Sequence, residues 1–162
     1  MSTQTPGPNR LARTAAKEVP HRKADRFFAA RTDLRNSCED LLKDIQLAPL
    51  HEAMRKDLVD AIKRVDREVQ DLGPDDSGAR NTIVDLEKQV QHLQLAAKWV
   101  GNAQRVLDKL PASAKPMRDG LLEAQDSVMW HVRADAWDGQ LTAALSNLKA
   151  VVQEAETAAA RA

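Results

Sequence analysis

In 162 residues the chain has room for one domain with a continuous core, and its 43% apolar content is chiefly Ala and Leu, with no Tyr, two Phe and three Ile. Unbranched side chains lose little rotamer freedom in a helix, whereas pleated sheet favours the β-branched and aromatic residues that are scarce here, so the composition excludes a sheet. A single cysteine excludes an internal disulfide, zero net charge argues against a dedicated DNA binder, and no apolar run reaches the roughly 20 residues of a membrane span.

Residues 1–35 hold eight Arg and Lys against three Asp and Glu, while the rest hold 16 against 21, so a basic arm precedes a mildly acidic body. Residues 1–24 contain Pro6, Gly7, Pro8 and Pro20 and few apolar side chains to offset the entropy of ordering. They read as a disordered basic tail, followed by a helical bundle domain over 25–158. From Asp25 onward Phe27, Ala30, Leu34, Cys38, Leu41 and Ile45 recur at steps of three and four, which lines one face of a first helix.

Pro49 disfavours helical geometry at Ala48 and ends that helix, and a second stripe follows at once through Leu50, Met54, Leu58, Ala61, Val65, Val69 and Leu72. The stretch GPDDSGA at 73–79 is turn chemistry. A third helix from about Arg80 to Lys109 carries the clearest seam in the chain: Ile83, Leu86, Val90, Leu93, Ala97, Val100, Gln104 and Leu107, spaced as in a coiled coil. Beyond the loop PASAKP a fourth stripe runs through Met117, Leu121, Ala124 and Val128, then drifts to Ala134, Trp137, Leu141, Leu145, Leu148 and Val152. Asp138-Gly139 marks the change of phase; one long bent helix is expected, with two shorter ones as the alternative. The predicted fold is all-α: an antiparallel bundle of four long helices, five if the last one breaks, with coiled-coil-like packing.

No residue pattern calls for catalysis, a cofactor or a metal. A di-metal bundle needs Glu-x-x-His on two helices, and only Glu18-Val19-Pro20-His21 matches, beside a proline. His51-Glu52 begins a zinc-protease pattern, but Arg55 stands where the second histidine belongs. His131 and Asp135, four apart, have the spacing of a surface pair, as do Lys56/Asp60, Asp60/Arg64 and Arg64/Glu68. Cys38 lies on the apolar stripe between Leu34 and Leu41 and reads as a buried hydrophobe. The six glycines form no phosphate-cradling loop.

Trp130 and Trp137 are seven apart and are expected to share a face as core or as a partner anchor, since Trp is enriched at interface hot spots. Trp99-Val100-Gly101 and Trp137-Asp138-Gly139 both spell Trp-x-Gly. The stretch AWDGQLTAALSNLKAVVQEAE is similar to the turn and second helix of the WXG100 family, the helical-hairpin substrates of type VII secretion. That resemblance implies a helical hairpin with the tripeptide at its turn. The chain is longer than that family and, without Tyr, lacks its tyrosine-based export signal.

The expected function is non-enzymatic: a helical adaptor or structural subunit that self-associates or binds a helical partner. The third and fourth seams outrun the first two, so the expected partner-binding residues are the unmatched stripe Trp130, Trp137, Leu141, Leu145, Leu148 and Val152. The alternative is nucleic-acid association through Arg10, Arg13, Lys17, Arg22, Lys23 and Arg26, which have no stacking aromatic before Phe27. With no apolar segment after Met1 and no membrane span, a cytoplasmic location is expected.

Overall fold

The computed structural model describes the backbone of residues 8–137 and 139–161, with side chains from residue 24 onward. Five helices lie among the described residues: α1 (Pro8–Leu47), α2 (Glu52–Asp71), α3 (Ala79–Lys109), α4 (Lys115–Arg133) and α5 (Gly139–Arg161). Among the described residues there is no strand. The breaks fall where the turn chemistry put them, at Pro49, at Gly73–Gly78 and at Pro111. The tail read over 1–24 lies, in residues 1–7 and in the side chains through 23, outside the described residues; the α1 backbone is helical from Pro8.

Side-chain contacts set the helix directions. Arg31 reaches the Leu72 carbonyl and Arg35 pairs with Asp66, so α1 and α2 run oppositely. Gln125 Nε2 donates to the Val100 carbonyl at 3.0 Å and Arg118 to that of Leu107 at 2.7 Å, so α4 runs against α3. Thr142 meets His92 and Lys149 lies over Trp99, fifty residues on in both cases, so α5 runs along α3 in the same direction. Phe27 and Ile83 line one groove and Leu41 and Ala97 another, again at a constant offset, so α1 also runs with α3.

Helix α3 is the axle of this arrangement. It packs against each of the other four helices. The α1–α2 turn comes level with Gly101, where a Cβ would stand 3.8 Å from Pro49 Cδ, and the α4–α5 end comes level with His92, which meets Thr142. The start of α3 is thus sheathed by the α1–α2 hairpin and its end by the α4–α5 hairpin, with both present in between. Every residue of its predicted seam, from Ile83 to Leu107, is buried. A second buried row, Ala96, Ala103 and Val106, is made largely of small side chains that let a further helix approach closely.

The single bent fourth helix is replaced by two. After Arg133 the Ala136 N–H bonds the His131 carbonyl and the Asp135 N–H bonds that of Val132. Asp135 sits between them at φ 54°. This is a Schellman ending with Asp in the left-handed position, which a short polar side chain tolerates, and it turns the chain one helical turn before Gly139. The Trp137 indole N–H then donates to the Asp135 carboxylate.

The last carbonyls of a helix have no partner within it. In the first four helices an arginine from another helix reaches the carbonyls at or just beyond that end. Arg55 of α2 donates to Ile45, Ala48 and Leu50, and Arg31 of α1 to Leu72. Arg118 of α4 donates to Leu107 and Leu110, and Arg64 of α2 to Val132. A guanidinium suits this task because its planar fork carries several donors and its charge complements the negative end of the helix dipole. Arg64, read as part of a chain of surface pairs with Asp60 and Glu68, is thereby corrected to a clamp on the end of α4.

Candidate interaction surface

The stripe expected to lie uncovered is covered. Leu141, Leu145, Leu148 and Val152 are all buried, because α5 lays them against α3 and α4. The excess of apolar length was apparent only: α3 is long because it serves two hairpins, and each hairpin covers its own part. Trp137 is half-buried against the core and spends its indole N–H on Asp135. It does not share a face with Trp130, since the helix ends between them.

Trp130 is the exception. It is 57% exposed, more than any other aromatic described, and stacks edge-on against His131 with ring centroids 5.0 Å apart. Helix α4 buries Leu121, Ala124, Gln125, Val128, Met129 and Val132, and at about 100° per residue Trp130 falls on the opposite side. Asp119, Glu123 and Asp126 precede it at steps of four, three and four and are likewise exposed. Leu122, 40% exposed, flanks this face. Along the same side as α2, Arg133 pairs with Asp57 at 3.3 Å. The surface is a stripe of three carboxylates ending on an indole.

The remaining candidates separate clearly. Of the six basic residues assigned to nucleic acid, Arg26 is exposed and lines a groove of about 690 Å³ with Phe27, Ala30, Ile83 and Arg80; the side chains of Arg10, Arg13, Lys17, Arg22 and Lys23 lie outside the described residues. His131 does not pair with Asp135: its Nδ1 lies 2.8 Å from the Ser127 carbonyl. Glu52 pairs with Arg55 at 2.9 Å. Among the described residues no three His, Cys, Asp or Glu side chains converge to hold a metal ion. No helix among them is long and apolar enough to cross a membrane.

No family model, no curated protein and no solved structure matches the chain. The similarity to the WXG100 family therefore rests on its tripeptides. Trp99-Val100-Gly101 lies inside α3, with the ammonium groups of Lys98 and Lys149 over the Trp99 ring at 5.1 and 5.7 Å from its centroid. Trp137-Asp138-Gly139 lies where α4 gives way to α5.

Cys38 is buried beside Leu34 and Leu41. Burial, followed by the charge of Asp66, pushes its thiol up from the ordinary 9.0 to about 11, against a smaller opposing effect of Arg35. The folded state thus favours the neutral thiol. Its contribution to stability is complete below the ordinary value of 9.0 and is lost as pH rises through about 11. Iodoacetamide at about pH 8 is expected to leave Cys38 unmodified in the folded protein and to modify it after unfolding in urea, because the thiolate is the reacting form. A mass shift on the peptide containing Cys38 in the folded sample would contradict the burial.

The acidic stripe of α4 was missed at the level of sequence although its signal was present. Asp119, Glu123 and Asp126 repeat at helical steps, but polar periodicity marks any solvated face. Only the exposed indole at its end distinguishes this one.

Proposed function

We propose that the protein is a non-enzymatic helical interaction or assembly subunit, and that it docks its partner on the outer face of α4 around Trp130. The observation that carries this reading is an indole 57% exposed on a helix face, while Leu121 and Met129 of α4 and Leu141, Leu145 and Leu148 of α5 are buried. Leaving an indole in water is unfavourable unless a partner covers it, and Trp is the residue most enriched where few contacts carry most of the binding energy. The carboxylates around it give the face a sign and so a means of selecting partners. The coiled-coil-like, antiparallel packing of the hairpins supplies a stiff support for such a face.

Photo-crosslinking from position 130 tests the reading. With benzoylphenylalanine in place of Trp130, illumination in the cell is expected to give a covalent adduct of higher mass. The same group in place of Asn147, exposed on α5, should give none. Absence of any adduct from position 130 would overturn the proposal.

A further inference from the structure

We infer that the occupant of the α4 face is the basic segment Arg10–Arg26 of a second copy of this chain. The inference rests on the reading of α4 as a docking face and adds the partner. Among the described residues Asp119, Glu123 and Asp126 have no ion-pair partner; Lys115, one turn before Asp119, is the cation of α4 nearest to them in sequence on that side. The spacing of the three carboxylates places them in a line along the helix that ends at Trp130.

The chain itself carries complementary charges in its sequence. Between residues 10 and 26 there are six Arg and Lys against two Asp and Glu, and the first three, Arg10, Arg13 and Lys17, follow steps of three and four. That rhythm matches the steps of the carboxylates. An Arg or Lys at the end of such a line would meet the face of an indole, where a cation is attracted by the ring. A single exposed ion pair contributes little, so affinity comes from several acting together with the covered tryptophan.

Among the described residues helices α1 and α4 are not in contact: α1 packs on α2 and α3, and Arg26 lines a groove with Arg80 and Ile83 at the start of α3, whereas Arg118 of α4 reaches the carbonyls at its end. That separation favours a pairing between copies. Because the two surfaces differ, it closes either as a reciprocal exchange in a dimer or by continuing into a longer array.

Charge exchange on the full-length protein tests this. Wild type is expected to be a dimer or larger by sedimentation equilibrium at low salt and to fall to monomer as salt screens the pairs. The variant with Asp119→Lys, Glu123→Lys and Asp126→Lys should be monomeric at low salt, and so should the variant with Arg10→Glu, Arg13→Glu and Lys17→Glu. Mixing the two should restore association, since each then offers the other a complementary surface. Neutral variants with Asp119→Asn, Glu123→Gln and Asp126→Asn keep the test valid if a reversed chain fails to fold, and they too should be monomeric.

The inference is overturned if wild type is monomeric at every concentration, if either variant associates as wild type does, or if the mixture stays monomeric. It is also overturned if residues 10–26 bind duplex DNA or RNA while the chain remains a monomer. An adduct from position 130 to a different protein would refute this partner and leave the docking face standing, whereas no adduct at all would remove both.

Discussion

Replacing Arg55 by Ala is expected to lower the unfolding free energy by about 2–4 kcal/mol, since hydrogen bonds to a charged donor contribute more than neutral ones: the Leu50 carbonyl loses the guanidinium, and those of Ile45 and Ala48 are left with the backbone N–H groups of Ala48 and Leu50. Three carbonyls are involved, those of Ile45, Ala48 and Leu50, at 3.2, 3.0 and 3.1 Å from the guanidinium. They belong to the end of α1 and to the turn that carries the chain past Gly101, so their release loosens the junction between the first hairpin and α3. For a chain of this size the loss corresponds to a fall in Tm of roughly 5–15 °C. The urea midpoint at unchanged slope measures it. Arg55→Lys should recover only part, because an ammonium cannot address three carbonyls with a planar fork. Arg67→Ala, at an exposed position of α2, should change stability by less than about 0.5 kcal/mol. Equal effects at positions 55 and 67 would show that the clamp contributes nothing.

The second expectation separates core from docking face. Leu148→Ala should destabilise by about 2–5 kcal/mol, the range for opening a cavity at a fully buried leucine. Leu148 has 0% exposure, on a helix pressed against both α3 and α4. Trp130→Ser, despite removing a far larger side chain, should cost less than about 0.5 kcal/mol, as is usual for exposed positions. It should instead abolish association at low salt. The reverse outcome, a tolerated Leu148→Ala and a destabilising Trp130→Ser, would mean that α5 leaves its stripe free and that the tryptophan belongs to the core.

Much of the architecture was legible in the residues. The Ile83 to Leu107 seam, the break at Pro49 and the turn at 73–79 follow from side-chain spacing and backbone chemistry that act over a few residues. Burial of Cys38 follows from its place between Leu34 and Leu41. The second row of α3 was harder to see because Ala96 and Ala103 carry little hydropathy and mark close approach through their small size. The end of α4 was misplaced because the stronger visible breaker, Gly139, stands one turn after the residue that stops the helix. Asp135 does so through backbone bonds to His131 and Val132, and no composition rule singles it out.

The candidate surface divides in the same way. That Trp130 and Trp137 are unusual was plain in a chain with 3% aromatics, but their separation depends on a turn between them. The four apolar residues read as an exposed stripe are an exposed stripe only for a helix considered alone.

The sequence by itself determined which residues share a helix face, where most helices begin and end, and that the chain builds no sheet, because these are consequences of periodicity and local backbone preference. Only the tertiary structure decided which faces are covered. Cover comes from helices tens of residues away: α5 returns along α3 at an offset of fifty residues, and arginines of α1, α2 and α4 reach the ends of other helices. The bundle consumed the stripe from Leu141 to Val152 and left Trp130 on the outside, with the acidic side of α4 beneath it.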